Sequence, residues 1–219
     1  MTRAAIPVGV SLVLAVVMFL SNRPGKLPNG ANVVESDPQY NDALDQVART
    51  SRPAVERFNT GQEIEPADRD IALADAKIMD SMDAYRPDME AGYYTAGLMY
   101  YLAGDSDTAE QRLTQALMDS SLPSNLKTFD DTTKVEAVTA DCHHILSLIA
   151  YGRHDYKKAI EEANLAIKHH DGREGYYFAR AQAEVQLKQL AEAKADLTKS
   201  LKINPAYENS IRLLKFISS

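Results

Sequence analysis

The sequence predicts an all-α protein whose helices follow one another in pairs. Apolar side chains recur at helical spacing along most of the chain, and no segment alternates apolar and polar residues as a half-buried strand does. The low counts of glycine and proline, 10 and 9, and the absence of tryptophan fit a helical protein better than a β-sandwich. The helix pairs are expected at residues 88–103 with 105–119, about 140–152 with 155–169 and 174–187 with 190–203, and a last helix is expected at 206–217.

An apolar stretch near the N-terminus has the composition of a membrane segment. Residues 4–20, AAIPVGVSLVLAVVMFL, are uncharged and would span about 26 Å as a helix, against roughly 30 Å for a hydrocarbon core. No small-residue cleavage site follows, so an uncleaved transmembrane or signal-anchor helix at residues 1–21 is favoured over a cleaved signal peptide. We therefore expect a single-pass, membrane-anchored protein. A short N-terminal tail followed by the bulk of the chain is the usual shape of an anchor with its N-terminus inside, so the soluble domain is expected outside the cytoplasm, in the periplasm if the source is bacterial. The positive charges on the two flanks do not decide the orientation.

Two segments separate this stretch from the paired helices. Residues 22–37 are rich in proline, glycine, asparagine and serine, which indicates a flexible linker. Residues 38–87 are expected to hold N-terminal helices that include a degenerate half repeat. The first helix is expected at about 38–50, and Pro53 either interrupts it or starts a second short piece that runs through Phe58. A further helix is expected from Pro66 to Arg86-Pro87, which ends it.

A repeat runs through the paired helices. Three segments align in phase: GDSDTAEQRLTQAL at 104–117, HDYKKAIEEANLAI at 154–167 and KQLAEAKADLTKSL at 188–201. The interval from Ala159 to Ala193 is one repeat, and the interval from Ala109 to Ala159 is one repeat lengthened by an insertion. The insertion at 122–139 is interpreted either as a docking loop or as a solvated spacer with a short helix at 132–140.

This pattern resembles the tetratricopeptide repeat (TPR) family, whose 34-residue unit carries aromatic and small residues at fixed positions on two helices. The first unit supplies Tyr93, Ala96, Gly97, Tyr100, Ala109 and Leu113. The second supplies His143, Leu146, Ser147, Ala159 and Ala163, and the third supplies Tyr177, Ala181, Ala193, Leu197 and Pro205. The second unit departs from the pattern in lacking the final proline, and the third has Arg180 and Glu184 where Leu and Tyr are expected. The resemblance covers residues 88–217 and implies a solenoid of about three repeats over 88–205, with residues 206–219 as a C-terminal capping helix.

The resemblance also implies a concave groove lined by the first helix of each unit, which binds a peptide or helix of a partner protein. Transferring the family's register places eight side chains on this groove: Tyr94, Leu98, Tyr101, His144, Leu148, Tyr151, Phe178 and Gln182. Their composition predicts a ligand with apolar or aromatic side chains. The alternative is that several of these rings belong to the core or are covered by other segments of the chain.

Other functions find little support in the sequence. A net charge of −7 argues against non-specific nucleic-acid binding, which needs a basic surface. Phosphate-binding glycine loops, haem-attachment motifs and H-E-x-x-H are absent, so no catalytic residue and no cofactor is predicted. Cys142, His143 and His144 are adjacent but point in different directions on a helix, and no metal site is predicted. His144 stays a candidate only as a groove residue.

Three classes of function follow. The favoured hypothesis is a non-catalytic, membrane-tethered scaffold or adaptor that binds a peptide or helix of a partner protein, in the assembly or recruitment of a membrane complex. The alternative is a permanent accessory structural subunit of a multi-protein membrane complex. An enzyme or metal-binding protein is the third and least favoured class.

Overall fold

The structure, a computed structural model, describes residues 38–85, 90–120 and 132–218. Within these ranges the chain forms ten α-helices and no strand, which confirms the all-α prediction and is consistent with a helical solenoid. The helices are α1 Pro38–Thr50, α2 Arg52–Thr60, α3 Pro66–Tyr85, α4 Glu90–Ala103, α5 Ser106–Ser120, α6 Thr132–Gly152, α7 Tyr156–His169, α8 Glu174–Gln186, α9 Leu190–Ile203 and α10 Glu208–Phe216.

The paired helices pack mainly on their neighbours in the chain. The most extensive contacts join α3 with α4, α4 with α5, α6 with α7, α7 with α8, and α8 with α9. The buried residues accordingly divide into one large cluster that extends from α1 to α6 and three smaller clusters further along the chain. Packing that runs from neighbour to neighbour is the organisation of a solenoid.

The same turn follows the first helix of each pair. Its left-handed residue is Gly104 after α4, His154 after α6 and Lys188 after α8, with φ of 93°, 64° and 61°. In each turn the amide of this residue donates to the carbonyl three residues back, and the next amide donates to the carbonyl five residues back, over 2.9–3.0 Å. This is a Schellman arrangement, which satisfies the last carbonyls of a helix. The three turns are separated by the same two intervals as the aligned alanines, so the sequence repeat is also a repeat of backbone conformation.

Small residues bring the two helices of a pair close together. A Cβ placed on Gly97 would lie 2.8 Å from the Leu113 side chain, so α4 and α5 approach too closely there for any larger residue. In the next pair Ser147 donates a 2.7 Å hydrogen bond to the carbonyl of Ala159, on the facing helix. Close approach of this kind buries the backbone of one helix against the other and fixes their spacing.

The last helix covers the end of the solenoid. Leu213, Leu214 and Ile217 pack against a buried cluster on α8 and α9. Behind them, the hydroxyls of Ser200 and Ser210 share a buried hydrogen bond of 2.7 Å. Helix α10 therefore takes the position that a further repeat would occupy, as a cap must.

The second unit begins earlier than the sequence indicated. Its first helix was expected from about residue 140, but α6 starts at Thr132 and incorporates the segment 132–140 as its first turns. The stretch from Thr132 to Tyr151 contains neither glycine nor proline, so nothing interrupts the helix. Residues 122–131, the remainder of the insertion, lie outside the described residues.

The expected membrane anchoring is corrected. Over residues 38–85, 90–120 and 132–218, no helix is long and apolar enough to cross a membrane. The longest of them, α6, has 21 residues but carries Lys134, Glu136 and Asp141 within the length that would have to lie in lipid. The stretch 4–20, on which the expectation depended, and the linker at 22–37 lie outside the described residues. Single-pass anchoring and placement of the domain outside the cytoplasm are therefore not retained.

Candidate protein-binding groove

The eight predicted groove residues divide into two groups. Tyr94 and Leu98 are only 2% and 1% exposed and belong to the large core cluster, so their assignment to the groove surface is corrected. The hydroxyl of Tyr94 lies against the carboxylate of Asp141, so α6 of the second unit covers this side chain. The other six are half-buried on the first helices of the three units: Tyr101, His144, Leu148, Tyr151, Phe178 and Gln182.

Phe58, from α2, lies between two of these six residues. Its ring is 5.7 Å from that of Tyr101, edge-on at 72°, and 6.0 Å from that of His144. On its other side His144 packs against Tyr176, with 5.0 Å between the ring centroids. An aromatic side chain of this protein therefore already occupies the face formed by α4 and α6. Phe58 was not predicted as a site residue, because nothing in its local sequence shows that it reaches helices so far along the chain.

A bend between α1 and α2 directs Phe58 to this position. Ser51 separates the two helices with φ −86° and ψ 2°, and a proline stands in the first turn of α2. The hydroxyls of Thr50 and Ser51 each donate a 2.6 Å hydrogen bond to the buried carboxylate of Asp75 on α3. These bonds hold the bend against α3 while α2 turns away from the line of α1. Proline so early in a helix prevents a continuous helix through residue 53.

The other end of α2 lies close to the last helix. Gly61 adopts a left-handed conformation, φ 69°, and any side chain placed there would collide with that of Asn209 on α10. The Arg57 guanidinium pairs with the carboxylates of Glu65 and Asp68, at 2.6 and 3.0 Å, which connects the end of α2 to the start of α3. Helix α2 thus extends from the first unit towards the cap across the face that the repeat register predicts to be concave.

The remaining groove wall is aromatic. Tyr151 packs against Tyr156 at 5.5 Å and accepts a 3.3 Å hydrogen bond from the side-chain amide of Gln186. Phe178 packs edge-on against Tyr207 at 5.6 Å and 83°. Burial raises the pKa of Tyr101 to about 12 and also raises that of Tyr207, so both phenols are neutral in the physiological range. The wall therefore offers rings and neutral hydroxyls to a ligand.

Behind the wall lies a buried polar cluster that the sequence analysis missed. Its centre is Asp141 of α6, 4% exposed, which accepts a 2.5 Å hydrogen bond from the Tyr176 hydroxyl and pairs with Arg173 at 3.0 Å. The Tyr94 hydroxyl lies 3.4 Å from the other carboxylate oxygen. A carboxylate inside the apolar sequence of a first helix was a signal that could have indicated a buried partner, because a buried charge is normally paired.

Burial and Arg173 set the ionisation of this region. Burial raises the pKa of Asp141, and the Arg173 charge and the hydroxyl of Tyr176 oppose that rise. Burial, and secondarily the positive charge of Arg173, lower the pKa of His144 from 6.5 to about 3. The His144 imidazole is therefore neutral at physiological pH and presents a neutral ring to Phe58.

The neighbouring histidine and cysteine serve other contacts. His143 forms a 2.8 Å hydrogen bond from Nδ1 to Glu162 on α7, and its ring stacks on that of His169 at 5.9 Å. Cys142 is buried in the large core cluster. Across the described ranges, no group of three or more histidine, cysteine, aspartate or glutamate side chains is arranged to hold a metal ion.

Comparison with known proteins supports a TPR-like protein-interaction fold. No protein-family model matches the chain. Segments of the chain are similar to proteins that contain tetratricopeptide repeats, and the all-helical structure is consistent with that fold. Aryl-hydrocarbon-interacting protein-like 1 of Saimiri boliviensis boliviensis and that of Pan paniscus are each 33% identical over 60 residues, which is 27% of this chain and 16% of the relative. Serine/threonine-protein phosphatase T of Aspergillus oryzae is 36% identical over 58 residues, 26% of this chain and 12% of the relative. The chain thus matches less than a fifth of the length of these relatives.

Proposed function

We propose that this protein is a non-catalytic scaffold that holds a helix or peptide of a partner protein against the first helices of its repeats. The distant similarity to TPR-containing proteins supports a role in protein interaction. The observation that carries the proposal is the position of Phe58, which lies between the rings of Tyr101 and His144. A face that accommodates one aromatic side chain of its own chain has the shape and chemistry to accommodate another.

The part of the groove beyond Phe58 supplies further contacts for the partner. Leu148, Tyr151, Phe178 and Gln182 are half-buried there, and none of them carries a charge. Half-buried aromatic side chains can bury further area on binding, and a stacked or edge-on ring contact adds about 0.5–1.5 kcal/mol to that burial. A segment with apolar or aromatic side chains at helical spacing is therefore the ligand that suits this wall.

The absence of catalysis is part of the same proposal. Burial raises the pKa of two carboxyl groups, Asp141 and Glu184. They are 4% and 7% exposed and make contacts within the solenoid. Asp141 is paired with Arg173, and Glu184 lies beside Arg180 and Asp196. Groups that act on a substrate need access to it, so these side chains are better explained as structural.

Site-specific photocrosslinking tests the groove as the binding surface. A photoreactive amino acid is placed at Tyr151 or Phe178 in the full chain expressed in the source cells, and crosslinked proteins are identified. The matched control is the same amino acid at Leu165, which is 37% exposed on α7, the second helix of its pair. We expect one common partner from the two groove positions and none from the control. The same adducts from Leu165, or none from Tyr151 and Phe178, would contradict the proposal.

A further inference from the structure

We propose that α2 is an internal ligand of the groove, and that the partner is a helix of the same kind, with an aromatic side chain followed three residues later by a glycine. Phe58 and Gly61 supply these two features in α2. The inference deepens the proposed function and rests on it: partner and α2 compete for one surface.

The turn that follows α2 is the turn that ends the first helix of each unit. The amide of Gly61 donates to the carbonyl of Phe58 over 3.1 Å, and the next amide, of Gln62, donates to the carbonyl of Arg57 over 2.8 Å. This is the pattern found at Gly104, His154 and Lys188. Helix α2 therefore ends in the same way as the first helix of each unit, and Phe58 has the register position of Tyr101 and Tyr151.

Helix α2, however, does not lie in the position that this register implies. A repeat in a solenoid contacts only its neighbours. Phe58 nevertheless contacts His144, which belongs to the second unit, and Gly61 contacts Asn209 of the cap, beyond the third unit. Helix α1, in contrast, stays packed on α3. The bend at Ser51 thus separates a stacked half, α1, from a half that crosses the groove, α2.

Helix α2 is short and has few buried side chains. It has nine residues, and isolated helices shorter than about 12–15 residues are marginal in water. Ala54 and Val55 at its start are buried, whereas Phe58 is only partly covered and the residues around it are polar or exposed. The ion pairs of Arg57 with Glu65 and Asp68 only tie the second half to the start of α3. Across the groove it is held by the contacts of Phe58 and Gly61, which a competing helix can replace.

A peptide added in trans tests the competition. The probe is fluorescein-labelled RPAVERFNTGQ, the sequence of residues 52–62, and its anisotropy is measured against the full chain. Two variants release α2 by different means: Phe58→Ala removes the ring, and Gly61→Val introduces a side chain that collides with Asn209 and disfavours the positive φ. If α2 is docked in about nine-tenths of wild-type molecules, both variants should bind the peptide about tenfold more tightly than wild type does.

Two controls sharpen this measurement. Ile71→Ala, at a residue 39% exposed on α3, should bind like wild type. A peptide with alanine in place of the phenylalanine should not bind any variant. If folded Phe58→Ala and Gly61→Val chains bind the peptide no better than wild type, α2 is an integral part of the core and the inference is overturned.

Hydrogen exchange on the wild-type chain provides a second test that needs no variant. Amides 57–62 should exchange through a local opening, faster than the buried amides of α1, because α2 can undock while α1 stays stacked. Equal protection of α1 and α2 would also overturn the inference. If the peptide binds but Tyr151 and Phe178 crosslink to nothing, the internal ligand is supported and the partner proposal fails. If Tyr151 and Phe178 crosslink to a partner but the 52–62 peptide does not bind, the partner is unlike α2 and the inference is overturned.

Discussion

Asp141 of the second unit accepts a hydrogen bond of 2.5 Å from the hydroxyl of Tyr176, on the first helix of the third unit. Tyr176 is 1% exposed, and the same carboxylate pairs with Arg173 at 3.0 Å. The contact joins two first helices through a charged group in the interior, where an unmade hydrogen bond is costly. It therefore fixes the position of α8 relative to α6 behind the groove wall.

Tyr176→Phe should lower the free energy of unfolding by about 1.5–3 kcal/mol, because it removes a buried hydrogen bond to a charged group and fills the same volume. The measurement is urea denaturation. Tyr156→Phe is the matched control, since its hydroxyl makes an exposed contact with His154, and it should cost less than about 0.5 kcal/mol. Equal effects of the two substitutions would show that the Asp141 contact does not stabilise the fold.

Arg173→Met should destabilise the chain by about 3 kcal/mol, because it leaves Asp141 buried without its counter-charge. Adding Asp141→Asn in the same chain should recover part of this loss, since the unpaired charge is then gone. The two single variants and the double variant form a thermodynamic cycle. Additive losses would contradict direct coupling between the two groups.

Glu184 should make the fold less stable as the pH rises. Burial, followed by repulsion from Asp196, raises the pKa of Glu184 from 4.5 to about 7, with Arg180 acting in the opposite direction. The folded state binds this proton more tightly than the unfolded state does, so the stability is fully present below pH about 4.5 and is lost as the pH rises through about 7.

Glu184→Gln should remove this dependence, about 1–2 kcal/mol between pH 5 and pH 8, as seen in unfolding free energies across that range. Glu161→Gln, at an exposed position on α7, is the control and should keep the wild-type slope. A wild-type slope in Glu184→Gln would contradict the assignment.

His144 should have the opposite dependence. Its pKa is lowered from 6.5 to about 3, first by burial and then by Arg173, so the unfolded state takes up the proton before the folded state does. The stability that it contributes is therefore present above pH about 6.5 and is lost as the pH falls towards 3. His144→Leu should reduce the loss between pH 7 and pH 4.5 by about 2 kcal/mol. If wild type and His144→Leu lose the same stability between pH 7 and pH 4.5 in thermal unfolding, His144 is not the source of that loss.

Gly97→Ala should destabilise the first unit by about 1–3 kcal/mol, although alanine favours a helix by about 1 kcal/mol over glycine. The added Cβ would lie 2.8–2.9 Å from the fully buried side chain of Leu113. Gly152→Ala is the matched control, because nothing lies within 4 Å of a Cβ at that position, and it should stabilise the chain by up to about 1 kcal/mol. A stabilising Gly97→Ala would mean that α4 and α5 can separate without loss of packing.

The helices themselves were largely predictable, because their signals are local. Helical spacing and turn residues placed the third pair at 174–187 and 190–203, and the structure has Glu174–Gln186 and Leu190–Ile203. The start of α6 was placed too late because the repeat register, rather than the continuous helix-forming sequence from Thr132, was used to set it. Periodicity reports which residues share a helix face, and that information is contained in a short window.

The groove was only partly predictable. The register placed Tyr101, His144 and Phe178 on the first helices, where they are half-buried. It also placed Tyr94 and Leu98 there, but both lie in the core, and Tyr94 packs against Asp141 of the second unit. Covering by a segment from a distant part of the chain leaves no trace in the pattern of the helix that is covered.

The sequence by itself determined the helical class, the repeat offsets and the aromatic character of the groove wall, since these depend on residue types at fixed spacing. The tertiary structure decided which rings are accessible, which charges are paired and which part of the chain crosses the groove. Those outcomes depend on contacts between distant segments: Phe58 with His144, Gly61 with Asn209, and Asp141 with Arg173. Such contacts form only when the stacked helices and the bend at Ser51 bring these residues together.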